Sequence, residues 1–184
     1  MITFRYDLTT YRSFLSEIAD MLGTTLQDGV LLLPATAGEG WMKLIELDNE
    51  IQAIVFDIRL KEDWLLERNS NEKEFYMLLC EELTGVADSF IEIGQERMEL
   101  NGDERMAMYL TNFMYDVRYY IKAGAHVRSM RLMLPEQWLV QYLNLEEKKS
   151  ILEKYIQMKT SGIWFKRVDA ETKEIMNELL IPGS

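Results

Sequence analysis

Between Gly38 and Leu60 apolar side chains recur at every second position: Trp41, Ile45 and Leu47, with Met42 and Leu44 offset by one, then Ile54, Phe56, Ile58 and Leu60. A period of two places successive side chains on opposite faces, so the stretch suits a β-hairpin and not a helix. Asp48, Asn49 and Glu50 supply its turn. The same period runs from Tyr109 to Ile121, with Tyr109, Phe113, Tyr115, Val117, Tyr119 and Ile121 on one face and Asn112, Asp116 and Arg118 on the other. That pattern predicts one half-buried antiparallel strand with an aromatic inner face.

Further strands follow from the same logic. Glu74 to Leu83 alternates Phe75, Met77, Leu79 and Leu83 with Tyr76, Leu78, Cys80 and Glu82, and Met130, Leu132 and Leu134 share a face within Val127 to Leu134. Shorter runs lie at Ser89 to Ile93 and Glu96 to Leu100. Val30 to Leu33, stopped by Pro34, is continuously apolar and predicts a strand buried on both faces. Roughly seven or eight short strands at this spacing predict a sandwich or barrel.

Helical periodicity flanks this region on both sides. Phe14, Leu15, Ile18, Met21 and Leu22 recur at three and four between Thr10 and Leu22, with Gly23 as a stop. After Leu134 the period changes again: Pro135 suits a first helical position before Trp138, Leu139, Tyr142 and Leu143. Asn144 with Glu147 resembles a capping box for a helix carrying the stripe Ile151, Leu152, Tyr155 and Ile156. Asp169 can cap a last helix with Ile175, Met176, Leu179 and Leu180 on one side. The expected class is α+β, mainly β, with a β-domain and its leading helix over residues 1–134 and a helical segment over 135–184.

Composition narrows the function. A chain of 184 residues can bury roughly two-thirds of its unfolded surface. One cysteine, Cys80, forms no internal disulfide, and no charged-then-apolar leader opens the sequence, so a reduced cytoplasmic setting is expected. No apolar run approaches the roughly 18 residues that span a bilayer, so no membrane partner is expected. With 31 acidic and 20 basic residues the formal charge is −11, which argues against this chain holding nucleic acid by itself. The ending Ile181-Pro182-Gly183-Ser184 follows directly on a helical pattern and reads as a cut in a longer protein.

Motifs that invite chemistry each meet a simpler reading. Gly38-Glu39-Gly40 lacks the third glycine of a dinucleotide loop, has Lys43 in its place, and leads into a strand instead of a helix, so a structural turn is the better account. Ser70-Asn71-Glu72-Lys73 matches the Ser-x-x-Lys of acyl enzymes but falls in a polar loop, and Lys159-Thr160-Ser161-Gly162 has a serine interrupting Lys-Thr-Gly. His126 is the single histidine, which leaves too few ligands for a metal site or a cofactor-bearing centre; no metal and no cofactor is expected. A metal-independent isomerase or lyase using His126 with Tyr115 or Tyr119 would need a second tuned group. Glu81 and Glu82 fall on opposite faces of a strand and cannot cooperate. No catalytic constellation is left, and the chain is not expected to be an enzyme.

What is left is apolar and aromatic. Trp41, Phe56, Phe75, Tyr76, Phe113, Tyr115, Tyr119 and Trp138 either line a cavity or simply fill a core. As candidate ligand-binding residues we single out Trp41, Phe56, Phe75, Tyr115 and Tyr119, and as candidate dimerisation residues Ile151, Leu152, Tyr155 and Ile156.

Gly38-Glu39-Gly40-Trp41-Met42, the hairpin after it, and Val127-Arg128-Ser129-Met130-Arg131-Leu132 leading through Leu134-Pro135-Glu136-Gln137-Trp138-Leu139 carry a resemblance. In these stretches and in the order of its elements the chain resembles the N-terminal sensor half of bacterial AraC-type transcriptional regulators, particularly the group that includes siderophore-responsive regulators. The resemblance implies a cupin-like β-barrel or jelly roll that senses a small-molecule effector, followed by helices used for homodimerisation. It also implies that DNA is bound only by a C-terminal pair of helix-turn-helix units absent from this chain. A stand-alone interaction or dimerisation module without ligand is the alternative.

Overall fold

The computed structural model describes residues 1–47, 51–71, 75–100, 104–142, 164–167 and 169–181. The chain opens with β1 (Ile2–Tyr6) and α1 (Tyr11–Leu22), then makes β2 (Leu26–Gln27), β3 (Val30–Leu32), β4 (Gly38–Glu46) and β5 (Gln52–Leu60). Next come β6 (Trp64–Arg68), β7 (Phe75–Thr84), β8 (Phe90–Ile93), β9 (Glu96–Glu99), β10 (Glu104–Asn112), β11 (Val117–Ile121) and β12 (His126–Pro135). The last described elements are α2 (Glu136–Tyr142), β13 (Trp164–Arg167) and α3 (Ala170–Leu179).

Two sheets face each other. One has the order β1-β6-β11-β8-β9, the other β13-β10-β7-β12-β5-β4-β3-β2. From β5 to β12 the chain crosses repeatedly between them, giving a cupin-like jelly roll with mostly antiparallel pairing. The exception is the parallel pair β1 and β6. Phe4, Trp64, Leu66, Ile91 and Ile121 from the smaller sheet meet Ile54, Ile58, Leu79, Leu83 and Val127 from the larger one in a single buried cluster. Phe14, Leu15 and Ile18 of α1 join that cluster from the side.

Local chemistry explains the boundaries of α1. The Thr10 hydroxyl accepts from the Ser13 backbone N–H at 3.0 Å, and the Ser13 hydroxyl accepts from the Thr10 N–H at 3.3 Å, so two donors at the helix start are satisfied reciprocally. Gly23 ends the helix at φ 65°, its N–H directed to the carbonyls of Ala19 and Asp20.

The hairpin forms as its alternation demands, with Gly38 opposite Leu60 and Glu46 opposite Gln52. Its Gly-Glu-Gly opening is steric. Gly40 has φ 110°, and a Cβ there would lie 2.0 Å from the Asp57 carbonyl oxygen; at Gly38 it would lie 2.3 Å from that of Arg59. Glycine is required because the β5 backbone passes where a side chain would stand.

Three expectations need correction. Tyr109 to Ile121 is two strands, not one: β10 lies in the larger sheet and β11 in the smaller, and residues between them carry the chain across. Asn112 makes that corner by accepting the Met114 N–H on its Oδ1 at 3.1 Å, while Arg68 Nη2 donates to the carbonyls of Asn112 and Tyr115 on either side. Val30 to Leu32 is buried on one face only, since Leu31 is buried and Leu32 is 64% exposed near the end of the sheet. Strand structure also returns after the barrel, where β13 pairs with β10, Leu110 opposite Trp164. The stripe Ile151, Leu152, Tyr155 and Ile156 lies outside the described residues.

The outer face of the larger sheet is covered by helices. Leu139 of α2 packs with Ile51, Tyr76, Leu110 and Leu134, and Met176 of α3 with Leu180 packs on Val55, Cys80 and Met130. Asp169 caps α3, its Oδ1 accepting from the Thr172 N–H at 2.9 Å.

Candidate functional site

A cavity lies between the sheets, with about 40 Å³ open to the centres of water molecules, room for a few waters. Seven strands build it. Its apolar wall is Leu66, Met77, Leu79, Ile91, Ile93 and Val117; its polar wall is Tyr6, Arg68, Tyr109, Thr111, Tyr119 and Arg131.

The polar wall is organised around one carboxylate. Glu81 is 0% exposed on the inner face of β7, directly opposite Ser129 of β12, with Arg131 at the diagonal position two residues on. Arg131 Nε and Nη2 donate to Glu81 Oε1 at 3.1 and 2.6 Å, and the Ser129 hydroxyl donates to the same oxygen at 3.2 Å. Tyr119 donates from the facing sheet to Oε2 at 2.9 Å. The network therefore ties the two layers together across the cavity. A buried carboxylate is tolerated only when paired and hydrogen-bonded, and here both oxygens are engaged.

Arg68 enters from β6. It is 1% exposed, with its guanidinium carbon 4.5 Å from the centre of the Phe113 ring. Arg131, 7% exposed, lies 5.0 Å from the Phe56 ring centre and 5.2 Å from that of Tyr119. Burial works against the Arg131 charge, but the Glu81 carboxylate outweighs it and the net direction is up. Burial also pushes the Tyr6, Tyr11 and Tyr119 hydroxyls up, Tyr119 furthered by the charge of Glu81. These tyrosines stay protonated, and Tyr119 donates its proton to Glu81.

The five aromatic residues singled out from the sequence are not brought together. Tyr119 lines the cavity. Phe56 is on the inner face and stacks near Arg131; Phe75 packs beside Phe113 with ring centres 6.2 Å apart; Tyr115 contributes its carbonyl to Arg68. Trp41 lies on the opposite face of the sheet, against the cluster covered by α3. Sequence reasoning missed Glu81, Arg131 and Arg68. A usable signal existed: Glu81 shares the parity of the apolar Met77, Leu79 and Leu83, and Arg131 that of Val127 and Met133, so charges of opposite sign stand on the apolar faces of two strands.

His126 stands apart on the outer face. Its Nε2 is 2.6 Å from Asp57 Oδ1, and nearby Arg128 donates to Glu82 at 2.5 Å and to Asn177 of α3 at 3.1 Å. Glu82 thus points away from Glu81, as the alternation required. Burial raises the Cys80 thiol to about 11, which leaves it little thiolate. Among the described residues no group of three or more histidine, cysteine, aspartate or glutamate side chains is placed to hold a metal ion, and no helix is long and apolar enough to cross a membrane.

Residues 39–181 match the family described as the regulatory protein PchR N-terminal domain. The chain belongs to the PchR N-terminal domain family. It is thereby the regulatory domain of an AraC-type regulator, in keeping with the resemblance carried by the hairpin and by β12 with α2. The match begins at Glu39 beside the steric Gly40 and spans the cavity's larger-sheet residues, including Arg131, as well as the buried Glu81. No curated protein matches this PchR-type domain. Among solved structures, apo-HppE is 13% identical over 69% of this chain and 75% of that one, with a TM-score of 0.26. Vicilin from Corylus avellana (hazelnut) is 8% identical over 83% of this chain and 52% of that one, with a TM-score of 0.25. At those scores neither likeness carries an argument about the PchR-type domain.

Proposed function

We propose that this domain senses a small effector held between its two sheets and passes the occupancy of that site to its C-terminal helices, without catalysing a reaction. The observation that carries the reading is the cavity lined by Arg131 and Tyr119, whose side chains meet on the buried Glu81 carboxylate and so join the layers. Glu81 and Arg131 sit on the inner faces of β7 and β12, and Cys80 and Met130 beside them carry α3 on the outer faces. A ligand that rearranges the inner network acts on the same two strands that seat the helix. Regulation then follows from differential binding to two arrangements. The absence of catalysis is supported by the protonated Cys80 thiol and by His126 being engaged with Asp57 outside the cavity. Cytoplasmic location, and DNA binding by a further domain of the regulator, belong to the same reading.

An effector that binds only the folded domain raises its melting temperature by mass action, by about 2.7 kcal/mol of added stability at a hundredfold excess over Kd. A thermal-shift screen over sugars, siderophores, aromatic acids and lipids is expected to yield such a ligand; a complete screen without a shift counts against sensing.

Homodimerisation is the second part of the proposal. Ile175 of α3 is 47% exposed although its neighbour Met176 is buried, which leaves an apolar side chain outward on the helical segment. Light scattering should give a dimer mass for the chain, reduced to monomer by Ile151→Glu with Tyr155→Lys. An unchanged mass in that variant removes this surface from the account. The ligand-free interaction module is favoured if the dimer forms and the effector screen is empty.

A further inference from the structure

We propose that the effector is a small organic carboxylate, which takes the place of Glu81 on Arg131; this rests on the effector-sensing reading above. Three observations point to that chemistry. Arg68 and Arg131 both line one cavity, together with Tyr6. Planar guanidinium forks are matched to carboxylates by two parallel hydrogen bonds. Half of the wall is aliphatic or thioether, which suits an apolar body and does little for a fully hydrated ion.

The third observation is a donor without an acceptor. The Tyr11 hydroxyl is buried, on a residue 2% exposed, and has no hydrogen-bond partner. The Tyr11 ring and that of the cavity-lining Tyr6 both pack against Phe14, with ring centres 6.5 and 4.7 Å away, so it borders the cavity's Tyr6 side. A buried hydroxyl left unpaired is costly, and an arriving carboxylate oxygen relieves that cost.

Glu81 already holds Arg131 in the manner of a ligand, through Nε and Nη2 to a single carboxylate oxygen. An incoming carboxylate competes with it directly. Displacing Glu81 also frees Tyr119 and Ser129, so the exchange changes the bonds between the sheets as well as those within one. Met77, unbranched and adaptable, is the wall residue best able to make room for the body of the ligand.

The test is an NMR titration of the whole chain, following the methyl signals of Met77, Leu79, Ile91 and Ile93, with butyrate, benzoate, butyramide, benzamide and inorganic phosphate. Expected is binding of at least one carboxylate with its amide at least about tenfold weaker, as the loss of a charge-assisted pair demands. The Glu81→Gln chain, relieved of its internal competitor, is expected to bind that carboxylate about tenfold more tightly or better, and Arg68→Lys to bind it more weakly. A gain of affinity in Glu81→Gln is not something impaired folding produces. Equal binding of carboxylate and amide overturns the assignment of charge while leaving effector sensing intact. Phosphate binding without carboxylate binding overturns it as well. Silence of all five compounds in both the unaltered and Glu81→Gln chains rejects the carboxylate, and the broader thermal-shift screen then decides separately whether the domain senses anything.

Discussion

Replacing Arg131 by methionine lowers the stability of the domain by about 3–5 kcal/mol in urea denaturation, because the Glu81 charge is left buried without its cation. Adding Glu81→Leu to the same chain restores most of the loss. The asymmetry follows from the physics of buried pairs: the two charges cost much to desolvate and gain much from each other, so the pair is worth little against an apolar substitute while either member alone is ruinous. Restoration is incomplete because the Tyr119 and Ser129 hydroxyls lose the acceptor they share. A single Arg131→Met variant within about 1 kcal/mol of the unaltered chain would show that the network does not have the role assigned to it.

Gly40→Ala is the second large effect, about 3 kcal/mol or more, although it adds one methyl group to an otherwise unaltered hairpin. Its Cβ would stand 2.0 Å from the Asp57 carbonyl oxygen and 2.9 Å from the Asp57 carbonyl carbon and the Ile58 Cα. These are backbone atoms of β5, which is clamped on its other side by β12, so they cannot rotate away as a side chain would. The positive φ adds strain of its own. The measurement is the urea midpoint beside that of Glu39→Ala, the neighbouring exposed position, which is expected to change stability by less than about 0.5 kcal/mol. Equal midpoints for the two variants would return the Gly-Glu-Gly sequence to an unexplained motif.

Much of the fold was legible because its strands alternate cleanly. The hairpin, β7, β12 and α1 with its Gly23 stop all follow from period and capping chemistry in the sequence, while the capping box of Thr10 and Ser13 does not. The break between β10 and β11 was not legible, because an inward face in one sheet leads into an inward face in the facing sheet and the alternation continues through the corner. Only the Asn112 turn and the Arg68 bonds to its carbonyls mark the place. β13 could not be anticipated either: Trp164 to Arg167 is too short to show a period, and it is the pairing with β10 that makes it a strand.

The site was less legible than the fold. Of the aromatic candidates, Trp41 faces outward and Phe75 packs beside Phe113 at the margin of the core. The cavity's polar centre is instead built from charges that one strand alone renders unremarkable. Met130, Leu132 and Leu134 do share a face, but it packs outward under α2 and α3, and Arg131 between them points into the cavity. In a sheet covered on both sides, apolar content does not tell inside from outside, whereas the acid and the base on matching parities of neighbouring strands do.

The most direct test of the central claim is a crystal structure of the chain with the ligand that most raises its melting temperature. The account predicts electron density between Arg68 and Arg131, enclosed by both sheets, with the Glu81 to Arg131 contact altered. Density for that ligand on the outer surface, as in the shallow groove between Ile2, Met21 and Glu62, with the interior network unchanged, would contradict it.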